Sequence, residues 1–169
     1  MRIYLIGFMG AGKSEVGRNL ATRLDLPFVD LDEEIARQAG KSIPSIFAEE
    51  GEAGFRSRET AALEDLRGPA VVATGGGAPL DPANRARMRE TGKLVWLNVD
   101  FDLILERLPP AARTGRPLLA DLAAARQLYQ QRQPVYRDND LEIQVLPGEE
   151  AAHTARRIAE ALRELSCAT

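Results

Sequence analysis

Arg2-Ile3-Tyr4-Leu5-Ile6-Gly7-Phe8-Met9-Gly10-Ala11-Gly12-Lys13-Ser14 is the stretch that decides the architecture. A short, mostly apolar run of strand length leads directly into the pattern G-x-x-x-x-G-K-S/T. Val16, Leu20, Ala21 and Leu24 then follow at helical spacing. Glycines allow the backbone to curl so that successive N–H groups face a phosphate, and the helix behind adds its positive end. Lys13 has the reach for β- and γ-phosphates, and the Ser14 hydroxyl is a ligand for Mg²⁺. A chance glycine-rich turn is the alternative, and the strand before and helix after weigh against it. The motif points to a bound nucleoside triphosphate and leaves the phosphoryl acceptor open.

Working outward, short apolar strands alternate with helices. Strands are expected at 28–30, 70–73, 93–99 and 142–146. Helices are expected at about 32–39, 43–49, 54–66, 82–91, 102–108, 120–133 and 150–165, with Asp81 capping and Pro82 opening the one at 82–91. That alternation indicates an α/β fold, a parallel sheet covered by helices on both faces. Ligands then belong at the carboxyl ends of the strands. Asp30, the phosphate loop and Gly75-Gly76-Gly77 all stand at such ends.

Composition narrows the class. The 169 residues are 44% hydrophobic and 28% charged, with a net charge of −3, which argues against a nucleic-acid protein. No apolar run approaches the ~20 residues of a membrane span. The opening residues run into a strand and a functional loop, so no signal peptide is expected. Cys167 is the only cysteine, which excludes an internal disulfide and fits a reducing cytoplasm. Lysine occurs only at 13, 41 and 93, so most of the positive charge is arginine.

Several side chains have two readings. Asp30 and Asp32, if the strand continues, place both carboxylates on one side, one for the water shell of Mg²⁺ and one for an acceptor hydroxyl. Asp32 equally suits a helix N-cap before Glu33. Arg56 follows Phe55 at a helix start and reads either as a surface charge or as an inward cation, with Arg58 and Glu59 inseparable from surface charge by pattern alone. Three successive glycines at 75–77 permit close backbone approach to a ligand. Arg113 and Arg116 lie in a segment rich in proline and glycine, where an arginine on a closing loop would offset charge on a transferring phosphoryl group. Arg132 ends a helix before Pro134 and is also a plain partner for the helix dipole. His153, the lone histidine, is expected at or near the surface.

Taken in order, these pieces resemble the shikimate kinases over nearly the full length. The similarity rests on Gly7–Ser14, on Phe28–Asp32, and on Ile46–Glu52 leading to Phe55-Arg56. Gly75–Ala78, Arg116–Leu119 and Arg132–Tyr136 complete the set. The resemblance implies ATP-dependent phosphorylation of the 3-hydroxyl of shikimate, in the chorismate route to aromatic amino acids. It implies one three-layer domain, residues 1–169, with a five-stranded parallel sheet in the order 2-3-1-4-5. The phosphate loop is 7–14, the acceptor segment about 32–60 and a mobile lid about 109–119.

By match of position, Gly10, Ala11, Gly12, Lys13, Ser14 and Glu15 hold the nucleotide, with Arg116 reaching the phosphates from the lid. Lys13, Asp32 and Arg116 are the catalytic set. Asp32 binds the ring hydroxyls and serves as base, while Arg56 and Arg132 hold the acceptor carboxylate beside the backbone of Gly76. Ser14 ligates Mg²⁺ directly and Asp30 does so through water. A cytoplasmic monomer with ATP and shikimate as partners, and no nucleic acid or membrane, is the expectation. Glu15 stands where the family more often has threonine, Leu108–Ala112 differs from the usual lid, and Arg107 or Arg113 flanks the adenine. A gluconate kinase of the same architecture is the nearest rival. A nucleotide-switch or regulatory binding protein is the rival from another class, and the Asn-Lys-x-Asp of a GTPase switch is absent; a pseudoenzyme that binds ATP without transfer is a further alternative.

Overall fold

The computed structural model describes residues 1–108 and 121–167; side chains are described up to Leu165. Five strands form a parallel sheet: β1 Arg2–Ile6, β2 Phe28–Asp30, β3 Val71–Ala73, β4 Gly92–Asn98 and β5 Leu141–Gln144. Their order is β2-β3-β1-β4-β5, as expected. The register pairs Leu5 with both Ala73 and Val95, which brings the ends of the three central strands level. β1 is buried along its whole length, the pattern of a strand covered on both faces.

Right-handed crossovers then fix the layers. From β1 to β2 the chain moves one way along the sheet through α1 (Lys13–Leu24). Every later crossover moves the other way, through α2 (Leu31–Ala39), α3 (Ile43–Asp65), α4 (Pro82–Thr91), α5 (Phe101–Arg107) and α6 (Leu122–Tyr136). Those helices therefore cover the opposite face from α1. The last helix, α7 (Ala151–Cys167), returns to pack along α1.

Element boundaries differ from the sequence reading in informative places. The strand does not continue past Asp30, so Asp30 and Asp32 do not alternate along β2. Asp30 is itself the N-cap of α2, its Oδ1 accepting from the N–H of Asp32 (3.1 Å) and of Glu33 (3.4 Å). That leaves the Asp32 carboxylate free of capping duty. The helices expected at 43–49 and 54–66 are two arms of α3 that meet at Gly51, where φ is 68° and ψ −174°. α6 does not stop at Gln133 but carries Pro134 within it. The ring removes one N–H, yet the Arg137 N–H still reaches the Gln133 carbonyl at 3.0 Å and closes the last turn. Asp81 caps α4 as expected, accepting from Ala83 N at 2.7 Å. The expected lid, about 109–119, lies outside the described residues.

Candidate active site

The loop between β1 and α1 takes positive φ at Gly7 (141°), Gly10 (76°) and Gly12 (87°), with Gly12 in the cap position of α1. These angles suit glycine and turn the backbone N–H groups into one concave face. Lys13 is buried and its Nζ donates to the carbonyls of Gly7 and Phe8, both at 2.9 Å, so its charge is held at the centre of the loop. Glu15 is exposed, and its carbonyl accepts from Asn19 Nδ2 at 2.9 Å.

Ser14, on the first turn of α1, donates its hydroxyl to Asp30 Oδ2 at 2.5 Å. Asp30 thus holds Ser14 with one oxygen and caps α2 with the other. A hydroxyl and a carboxylate in contact beside a phosphate loop are hard oxygen donors of the kind Mg²⁺ takes. Among the described residues no group of three or more His, Cys, Asp or Glu gathers to hold a metal alone. This donor set suits an ion held largely by phosphate oxygens and water.

Across the strand ends lies a second cluster, built from α2, α3, the loop after β3 and α6. Asp32 projects from the first turn of α2. Arg56 projects from the second arm of α3 and donates to Glu59 Oε2 at 2.8 Å. Glu59 is fully buried, and Arg132 on α6 nearly so. Asp32 Oδ1, Glu59 Oε1 and Arg132 Nε find no hydrogen-bond partner among the described residues. Buried polar atoms in that condition cost free energy and mark a place prepared for something else.

The glycines of the β3 loop make this packing possible. A side chain at Gly77 would stand 2.4 Å from Arg56 Nη2, and one at Gly75 would stand 2.8 Å from Glu59 Oε1 and 3.1 Å from Asp32 Oδ1. Gly76 lies beside Arg132, and its carbonyl accepts from the Tyr136 hydroxyl at 2.6 Å. Burial pushes the Tyr136 phenol up to about 12 despite the opposing Arg132 charge, so it stays a neutral donor. Burial likewise raises the Asp32 carboxyl above its ordinary value. Asp30 adds to that rise, while Lys13 and Arg56 oppose it. Glu59 is raised by burial too, against the pull of Arg56.

A cleft of about 1090 Å³ joins the phosphate loop to this cluster, with Lys13, Ser14, Asp32 and Gly76 on its wall. Its far end is formed by Arg107, Glu149 and Thr154. There Arg107 Nη2 reaches the Glu149 carbonyl at 3.3 Å, while Arg157 grips the Glu149 carboxylate at 2.9 and 3.0 Å. His153 is half exposed beside it, as expected. Arg113 and Arg116 lie outside the described residues.

The structure therefore brings Asp32, Arg56, Gly76 and Arg132 together, and sets them opposite Lys13, Ser14 and Asp30. Sequence reasoning missed Glu59 and Tyr136. Glu59 carries one usable signal: it follows Phe55 by four and precedes Leu63 by four, so it occupies the buried stripe of its helix. Tyr136 sits on the turn of α6 after Arg132, beyond the proline at which the helix was expected to end.

A family model described as Shikimate kinase matches residues 9–163. The chain is 51% identical to a shikimate kinase of Neisseria meningitidis serogroup C over 141 residues, covering 80% of this chain and 82% of that one. It is 47% identical to a shikimate kinase of Halorhodospira halophila over 167 residues, covering 96% and 93%. Among solved structures, a shikimate kinase from Acinetobacter baumannii in complex with shikimate superposes with a TM-score of 0.88 at 40% identity. That match covers 96% of this chain and 93% of that one.

Proposed function

The chain belongs to the shikimate kinase family, and from that premise we propose how its own residues divide the work of phosphorylating shikimate with ATP. It is a phosphotransferase that acts on shikimate, an alcohol, in the shikimate pathway. At the donor end, the N–H groups of Gly10, Ala11, Gly12, Lys13, Ser14 and Glu15 hold the phosphates. Lys13 swings from the loop carbonyls to the β- and γ-phosphates. Ser14 and, through water, Asp30 would hold Mg²⁺. When bound, that ion spreads the charge of the transferring phosphoryl group over more centres. Arg116, outside the described residues, adds a further positive charge at the phosphates.

At the acceptor end, Arg56 and Arg132 pair with the shikimate carboxylate, with the backbone of Gly76 as an added donor. Planar guanidinium groups suit a planar carboxylate better than an ammonium does. Asp32 accepts hydrogen bonds from the ring hydroxyls and takes the proton of the 3-hydroxyl as that oxygen attacks the γ-phosphorus, whose bond to the β,γ-bridging oxygen breaks so that ADP leaves. Its raised basicity favours this, and phosphoryl transfer needs little more than alignment and charge stabilisation. The single observation that carries this reading is the convergence of Asp32, Arg56 and Arg132 on Gly75–Gly77, level with the phosphate loop. The enzyme works as a monomer in the cytoplasm, where ATP is supplied.

A coupled assay with shikimate, gluconate and nucleoside monophosphates as acceptors tests it. Turnover is expected with shikimate alone: nucleoside monophosphates have no carboxylate for Arg56 and Arg132, and gluconate, which has one, is an open chain that does not hold a hydroxyl rigidly at Asp32 from that anchor. Turnover with gluconate and none with shikimate would overturn the assignment.

A further inference from the structure

Beside the acceptor cluster, at the bend of α3, stands a set of charges for which the transfer reaction has no use. Glu50 is the last residue before Gly51. Its Oε2 accepts from Arg58 Nε at 2.7 Å and its Oε1 from Arg58 Nη2 at 2.9 Å, a two-point grip across the bend. Glu50 Oε1 also lies 3.2 Å from Lys41 Nζ, and Lys41 donates to Glu49 at 2.5 Å. One carboxylate therefore ties together Lys41, two residues ahead of α3, and the first and second arms of that helix. Arg58, and after it Lys41, hold the Glu50 carboxyl down at about 2.

Gly54 supplies an independent sign that this grip is built in. A side chain there would stand 2.4 Å from Glu50 Cβ and 3.3 Å from Glu50 Oε2. The first turn of the second arm leaves out a side chain where Glu50 folds back over it. The bend needs such a grip, because glycine is the least restricted residue and fixes no angle by itself. Phe47 stacks on Phe55 with centroids 4.6 Å apart, but Phe47 is 40% exposed and adds only a thin apolar contact.

The angle matters because the two arms do different work. The first carries Ile43, on the wall of the cleft, and Phe47; the second carries Phe55, Arg56 and Glu59. We propose that Glu50 is a positioning residue for the acceptor site: through Arg58 and Lys41 it fixes the bend at Gly51 and so holds the first arm of α3 over the helix that presents Arg56. This rests on the acceptor reading given above.

Steady-state kinetics of the full chain test it, with both substrates varied. Glu50→Gln keeps the shape and removes the charge; it is expected to raise the shikimate KM at least about threefold while ATP KM and kcat stay within about twofold. Glu50→Gln/Arg58→Gln is expected to be no worse than Glu50→Gln, since both changes open one clamp. Gly54→Ala retains every charge and is expected to act like Glu50→Gln, and it carries the same test should Glu50→Gln fold poorly. A shikimate KM raised less than threefold, an equal rise in ATP KM, or additive effects in the double variant would overturn the proposal. Wild-type protein that fails to turn over shikimate would sink the functional reading instead, so the two failures are distinct.

Discussion

Gly77 and Arg56 meet so closely that each dictates the other. Gly77 has φ −94° and ψ −18°, angles that alanine adopts without strain, so only the guanidinium 2.4 Å away opposes a methyl group there. The end of a long side chain yields more readily than backbone does. Gly77→Ala is therefore expected to leave the unfolding free energy within about 0.5 kcal/mol of wild type. It is expected to raise the shikimate KM roughly tenfold by displacing Arg56. Equilibrium urea unfolding and initial-rate kinetics on one preparation check both halves; unchanged KM would show that Arg56 does not depend on its place against the glycine. The triple glycine was legible in the sequence as a place of close approach, but not what approaches it. Pattern alone pointed to a ligand, and the structure puts four of the protein's own charged groups there first, Asp32, Arg56, Glu59 and Arg132. Glu59 was only half legible. Its place on the apolar stripe is a signal, but Arg56 three residues before it makes an i, i+3 pair that reads equally well as surface charge. Asp30 and Asp32 are both good capping residues two apart, so only the point at which β2 ends could choose between them.

At the scale of the element, α3 shows how a turn is written into what otherwise reads as one helix. Gly51, with φ 68° and ψ −174°, occupies a region essentially restricted to glycine. Gly51→Ala is expected to cost on the order of 1–3 kcal/mol. The loss should appear as a lower denaturation midpoint in urea with an unchanged slope. A variant as stable as wild type would mean that the bend relaxes into a straight helix at no cost. The two arms were legible because apolar spacing falters around Glu49–Ala53; the short 3₁₀ turn Ala78–Leu80 was not, being set by packing against its neighbours. Pro134 misled in the opposite sense. Proline usually ends a helix, but near a carboxyl end it removes a single N–H, and the burial of Tyr136 draws one more turn into register.

At the scale of the molecule, stability and acidity are set by two opposed groups of carboxylates. Glu50 and Glu34 have lowered values because arginine partners hold them charged. Glu149 is lowered in spite of burial, by the Leu146 N–H and Arg157. Such groups stabilise the fold above the ordinary glutamate value of 4.5, and that contribution is lost as pH falls through their lowered values, about 2 for Glu50. Glu59 has the opposite sign. Its folded value is raised by burial, so the native state takes up its proton first and gains stability as pH falls towards 4.5. A thermal midpoint followed from pH 8 to pH 3 is expected to pass through a maximum at mildly acidic pH; Asp32, also raised by burial, shares in the rise on its alkaline side, and Glu59→Gln is expected to reduce that rise. A midpoint that falls steadily from neutral pH would refute this. The alternation of elements made a parallel sheet covered on both faces legible, while the strand order was expected from the family resemblance alone. It has one more consequence. β2 and β3 are neighbours in space as well as in sequence, so Phe28 to Leu80 carries Asp32, Arg56, Glu59 and Gly75–Gly77 as one uninterrupted stretch, while the far end of the cleft is lined from α5, the loop after β5 and α7. On the proposed division of the site, recombination between related genes at two crossover points would exchange one acceptor for another, and would leave the nucleotide machinery intact only where the incoming stretch keeps Asp30, the partner of Ser14. Arg132 and Tyr136 are the exceptions. They come from α6, so a chimaera would have to import them separately, and a graft made without them should fold, bind ATP and have no acceptor to act on.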